Sequence, residues 1–310
     1  MKIVVIKKAN FYIILLIINF VFVFSQSKAQ SQDTIKQVDI YDVFRHIFKI
    51  KSVNSRIDTA KIPPGKLLFV FAPTVEYTLE AGAQASLAMN ISFYTGNQSN
   101  TNLSVINTGA QYSIHNQLMA PIISNIWSKG NKIDWLGDWR YYKYPSYTYG
   151  LGSNSSLSKA DFVDYSYVKF YEEMLRHFKS KYYAGFGYYL DYHYNIIDKT
   201  LLTDYSDYSK NATSSISSGL VAHFMYDSRI NVNNPQNAFY ASVLYRYNST
   251  LLGSENNWQG LQLEARKYFK LSANKILAFW SWNEFTFDGK APYFDLPSNG
   301  WDTNSNTGRG

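Results

Sequence analysis

The stretch Lys181–Asn195 alternates without a break. Tyr182, Ala184, Phe186, Tyr188, Leu190, Tyr192 and Tyr194 share one face, while Tyr183, Gly185, Gly187, Tyr189, Asp191, His193 and Asn195 share the other. Successive side chains of a strand point to opposite faces, so a strict period of two predicts a β-strand. One face is apolar and rich in tyrosine, which favours membrane–water boundaries, and the other mixes glycine with polar groups. Such a strand suits the wall of a membrane barrel better than a soluble core.

The pattern recurs. Eleven strands are predicted, at about 67–77, 84–95, 102–115, 119–129, 132–143, 162–177, 181–194, 214–228, 238–249, 257–270 and 275–288. Each reaches the ~9–11 residues a tilted membrane strand requires. The expected fold class is all-β, a transmembrane antiparallel β-barrel spanning residues 67–310. Connections add a second argument. Tight turns at Ser180 and Leu271–Asn274 follow even-numbered strands, and the long polar loops Tyr144–Ala160 and Asn195–Thr213 follow odd-numbered ones. Bacterial barrels have short periplasmic turns and longer external loops, so the first strand is expected to run outward.

The first residues give an address. Lys2, Lys7 and Lys8 precede the apolar run Phe11–Phe24, which Ser27-Lys28-Ala29 follows, so residues 1–29 read as a signal peptide cut after Ala29. The 14-residue run is shorter than the ~20 a spanning helix needs. Without the four signal-peptide lysines, 26 basic residues face 23 acidic ones, a net charge of +3 that makes no case for nucleic acid. The absence of cysteine excludes a disulfide framework. The expected location is the outer membrane of a Gram-negative cell, against its lipid and lipopolysaccharide. Residues 30–66 form a periplasmic preface, where Val38, Tyr41, Phe44, Ile47 and Phe48 predict a short amphipathic helix over Val38–Ile50 before Pro63-Pro64-Gly65 breaks the chain.

Polar residues inside the strands define a lumen face. Gln262, Glu264 and Arg266 alternate against Leu261, Leu263 and Ala265, and His223 and Asp227 lie opposite Ala222, Phe224 and Tyr226. An Arg or Lys at mid-depth on the lipid side costs ~2–4 kcal/mol. His223, Glu264 and Arg266 are therefore expected to form a polar network in the lumen. The five histidines, His46, His115, His177, His193 and His223, lack metal-ligand spacing, and there is no Gly-x-Ser-x-Gly elbow or phosphate-binding glycine loop. No cofactor, metal or catalytic set is expected. Asp191 and His193 read as a hydrogen-bonded lumen pair.

Two further segments carry a resemblance. One is Tyr226-Asp227-Ser228-Arg229, followed by Pro235 and Ala238; the other runs from Asp295-Leu296-Pro297 through Gly300 to Gly308-Arg309-Gly310. Together they resemble the mid-barrel turn and the sixth external loop of the BamA/TamA-like outer-membrane assembly superfamily, also called the bacterial surface antigen family. Ala238 stands where that family has glycine. The resemblance implies a sixteen-stranded barrel, with Arg309 at the tip of a loop folded into the lumen and Gly310 permitting its turn. It also implies a role in outer-membrane protein insertion, or protein export, without bond chemistry. Clients would be unfolded outer-membrane or exported proteins, met at a seam that has Leu67–Tyr77 on one side. Residues 30–66 are too short to hold one of the family's periplasmic POTRA domains. Eleven strands leave two unpaired edges, and each orphan backbone group in hydrocarbon costs several kcal/mol, so further strands beyond Gly310 are expected. A passive channel or structural barrel is the alternative on the same fold.

Overall fold

Alternation of side chains becomes strand across most of the described residues. The computed structural model describes residues 62–78, 81–149, 158, 160–198, 213–229, 234–272 and 275–296. The expected signal peptide, the helix over Val38–Ile50, and Pro297, Gly300, Gly308, Arg309 and Gly310 lie outside the described residues. Twelve strands follow: β1 (Leu68–Thr78), β2 (Gly82–Phe93), β3 (Ser104–Ser113), β4 (Leu118–Trp127), β5 (Ile133–Lys143), β6 (Ser146–Thr148), β7 (Asp161–Lys179), β8 (Tyr182–Asp198), β9 (Ser214–Asp227), β10 (Phe239–Asn248), β11 (Trp258–Ser272) and β12 (Lys275–Gly289).

All belong to one antiparallel sheet. Eleven strands neighbour one another in chain order, and β6 stands off this path, paired with the start of β7. Among the described residues the sheet does not close, because β1 pairs only with β2 and β12 only with β11.

Three expectations need correction. Ser146–Thr148, read as loop, is a strand, too short at three residues to display a period. The seventh predicted strand, β8, runs four residues past Tyr194. Its register with β7 slips between Asp164 and Ser166, and Asn195 takes φ 53°. One extra residue in the left-handed region makes a bulge, so the period breaks while the pairing continues. The sorting of loops by parity holds only in part. Residues 144–160 and 199–213 are long and 180–181 is tight, but three residues join β1 to β2 while ten join β2 to β3.

The sheet curls around one face. Trp127 of β4 meets Tyr183 of β8 edge-on at 5.6 Å, and Arg246 of β10 donates to the Tyr171 hydroxyl of β7 at 3.0 Å. Side chains from non-neighbouring strands touch on this inner face, which holds three buried clusters. Trp127, Leu175, Tyr183 and Met225 form one, and Tyr189, Val221 and Leu244 the second. Val163, Tyr165, Ile196, Tyr293 and Phe294 form the third. The outer face instead exposes Trp135, Trp139, Phe186, Leu220, Phe224 and Phe279. An apolar surface this extensive needs an apolar medium or a partner. In β8 the buried residues Tyr183, Tyr189, Asp191 and His193 lie where the sequence period puts the inner face, but past the bulge Asn195, expected inward, is exposed and Ile196 is buried instead.

Candidate functional site

The inner face of β7 to β10 is built from charges that hold one another. Asp191 accepts from the hydroxyls of Tyr167 at 2.5 Å and Tyr171 at 2.7 Å, and from Arg246 Nη1 at 2.7 Å. Arg246 Nε donates to Asn248 Oδ1 at 2.9 Å, and its guanidinium lies 5.0 Å from the Trp258 ring centroid. Two residues further down β7, Glu173 accepts from the Tyr189 hydroxyl and sits 2.5 Å from His223 Nδ1. His223 Nε2 lies 2.8 Å from Ser242 Oγ. Tyr171 and Tyr189 stack with centroids 3.6 Å apart and join the two groups. Buried charges persist only when paired and hydrogen-bonded. Each of these is.

Of the expected lumen residues, His223, Glu264 and Arg266 all lie on this face. Arg266 pairs with Glu264, which also accepts from Trp280 Nε1 at 2.9 Å. Ser242 stands opposite Glu264 in the β10–β11 register, so it bridges His223 to this second pair of strands. Sequence reading missed Glu173, Ser242 and Arg246. It also missed the group in which Asp138 takes a double hydrogen bond from Arg140, at 2.6 and 2.7 Å, and a contact from Lys169 at 3.1 Å. The expected Asp191–His193 pair has a different form. Asp191 spends its oxygens on Tyr167, Tyr171 and Arg246, while His193 stacks on Tyr167 at 4.2 Å.

The Tyr226-Asp227-Ser228-Arg229 segment makes a self-clamped turn. Arg229 forks onto Asp227 at 2.9 and 2.8 Å and covers Tyr240 with its guanidinium 4.4 Å from the ring centroid. Pro235 is buried, Ala238 is 2% exposed, and Tyr226 packs against Tyr182, with ring centroids 4.9 Å apart. Among the described residues of this turn the left-handed one is Asn237, at φ 46°, so Ala238 can do without glycine's freedom.

After β12 the chain turns inward. Ala291, Tyr293 and Phe294 are buried, and Phe294 lies 4.9 Å from the Tyr165 ring and 5.2 Å from His193. Asp295 follows, its carboxyl buried with Oδ1 3.7 Å from His193 Nδ1. Burial, and then the Asp191 charge, pushes the Asp295 carboxyl up to about 8.

Beside these groups lies a cavity of about 510 Å³, bordered by Arg140, Lys169, Glu173, Arg246, Trp282 and Glu284 among others. Its charged groups are of mixed sign and sit among apolar side chains such as Leu136 and Leu244. Ser242, His223 and Glu173 are ordered like a nucleophile relay, yet neither Ser242 nor His223 is among the described residues that border the cavity. Both are buried. Through its two ring nitrogens His223 pins β9 to β7 and β10. Among the described residues no cluster of His, Cys, Asp and Glu could hold a metal ion. Neither the family models nor the curated proteins compared with this chain match it.

Proposed function

We propose that the chain is a wall of an outer-membrane β-barrel of BamA/TamA-like type, assisting the insertion of outer-membrane proteins or the export of proteins without bond chemistry. The observation that carries this reading is the segregation of the two faces. Exposed Trp135, Trp139, Phe186, Leu220 and Phe224 suit hydrocarbon, and buried Asp191, Glu173, His223 and Arg246 suit an interior. The inward turn of Ala291–Leu296 adds support, since the resemblance implies a loop entering the lumen at this place. The edge of β1, unpaired among the described residues, would supply a template on which a client strand pairs by backbone hydrogen bonds. Such a role needs no cofactor. Depletion of the protein should lower the levels of some outer-membrane proteins. Unchanged levels across the outer-membrane fraction would count against the reading.

The mixed-charge cavity favours a second reading, a passive channel or structural barrel. It requires ion conductance in planar bilayers with no dependence of other proteins on its presence.

A further inference from the structure

Glu172 and Glu173 are adjacent on β7, so they face opposite ways. Glu173 joins the inner network, and Glu172 therefore faces outward. Alternation also turns Ser124, Trp135, Gly137, Trp139 and Tyr188 to this outer side. Both carboxylate oxygens of Glu172 are held by indoles: Trp135 Nε1 donates to Oε2, and Trp139 Nε1 donates to Oε1 at 2.8 Å. Gly137 stands directly opposite Glu172 in the β5–β7 register. A Cβ there would come 3.1 Å from Glu172 Oε1 and 2.6 Å from Ser124 Oγ, so the bare glycine leaves the carboxylate room to lie flat on the sheet. Trp139 stacks on Phe170 at 5.3 Å and closes the rim.

Depth makes this clasp unusual. Glu172 pairs with Tyr188, midway along β8 between the outward tyrosines Tyr182 and Tyr194. The other outward charges of β5 and β7, Lys143, Asp164 and Arg176, lie toward strand ends. A charge at the bilayer centre is costly, and two neutral indole donors do not cancel a negative charge. Glu172 has no ion-pair partner among the described residues.

We propose that the Glu172 clasp is a docking site, inside the bilayer, for a membrane-spanning polypeptide segment that carries a basic side chain at mid-depth. Charge complementarity selects a cation, and the two indole faces beside it favour one as well. Depth selects the source. The hydrocarbon core is ~30 Å thick, so lipid headgroup amines stay ~15 Å from its centre, whereas a spanning segment can place a lysine or arginine there. The inference rests on the outer-membrane reading given above.

The chain lacks cysteine, so Leu190→Cys gives one attachment point for a dye beside the clasp. The labelled full chain is placed in phosphatidylcholine vesicles with an acceptor-labelled polyleucine spanning peptide. First, lipids brominated midway along their tails should quench the dye; failure to quench overturns the membrane reading, and the inference with it. Quenching without a preference for the peptide bearing a central lysine over the all-leucine peptide overturns the inference alone. The expected preference is about tenfold, falling to within about twofold in Glu172→Gln, which keeps the shape and removes the charge. A preference retained in that variant overturns the site. If Glu172→Gln fails to insert, Trp139→Phe should weaken the preference instead, and an unchanged preference there overturns it equally. A peptide with its lysine at one end should behave as all-leucine. Equal binding by it, or loss of the preference when phosphatidylethanolamine is added, would assign the clasp to headgroups and overturn the proposal.

Discussion

Arg246 Nη1 donates to Asp191 Oδ2 at 2.7 Å and so ties β10 to β8 across the intervening β9. Both side chains are under a tenth exposed. Removing one partner of a buried ion pair strands the other charge. Arg246→Met is expected to lower unfolding stability by ~3–5 kcal/mol, read from urea midpoints in detergent micelles. Adding Asp191→Asn should recover part of that loss, because the stranded carboxylate goes with it. Independent, additive losses would contradict a shared pair.

Ser242→Ala tests the pin reading of Glu173, His223 and Ser242. It leaves His223 Nε2 without its serine partner in a buried place, at a cost of ~1–3 kcal/mol. Ser242 itself should not react with a fluorophosphonate probe. Labelling of Ser242 in the folded protein would mean that the serine is reached by solutes and activated.

Gly187→Ala should block assembly of the β7–β8 pair. A Cβ at this position runs into the Glu172 carbonyl and comes 2.8 Å from Glu173 Cγ, so main chain would have to shift. Overpacking costs ~1–3 kcal/mol where neighbours can yield and more where they cannot. The expected result is loss of the heat-modifiable folded band on a gel. A normal yield of folded protein would show that β7 and β8 can move apart locally.

Docking of Ala291–Leu296 should depend on pH. The Asp295 carboxyl titrates near 8 in the folded chain, above the ordinary 3.8, because burial and the Asp191 charge oppose ionisation. A carboxyl whose folded value is raised contributes its full stability below the ordinary value and loses it as pH rises through the folded one. Hydrogen exchange of Tyr293–Asp295, corrected for its intrinsic pH dependence, should therefore quicken from about pH 4 to about pH 8 and then level off. Asp295→Asn should flatten this profile. A variant that kept it would place the titration elsewhere.

Much of the fold was legible because period two assigns faces directly. Tyr189, Asp191 and His223 are inward as expected, and the strand bounds differ by a few residues. The partners were not legible. Glu173 meets His223 across two strand spacings, and Arg246 meets Asp191 likewise, which depends on the curl of the sheet rather than on any local pattern. One signal was present in the sequence. Two acids in succession within a strand, Glu172 and Glu173, oblige one of them to face the apolar side. The bulge at Asn195 ended the visible period early, and a three-residue strand has no period to see.

That bulge is a phase shift. Below it the inward positions of β8 read Tyr189, Asp191 and His193, all polar or polar-tipped; above it the next buried side chain is Ile196, with Asn195 turned to the exposed side. Ile196 meets Val163, Tyr165, Tyr293 and Phe294 in a greasy stopper. A single inserted residue thus hands the inner face of β8 from polar side chains to an apolar and aromatic cluster. On the channel reading, a solute following the charged groove would meet this cluster where the strand changes phase.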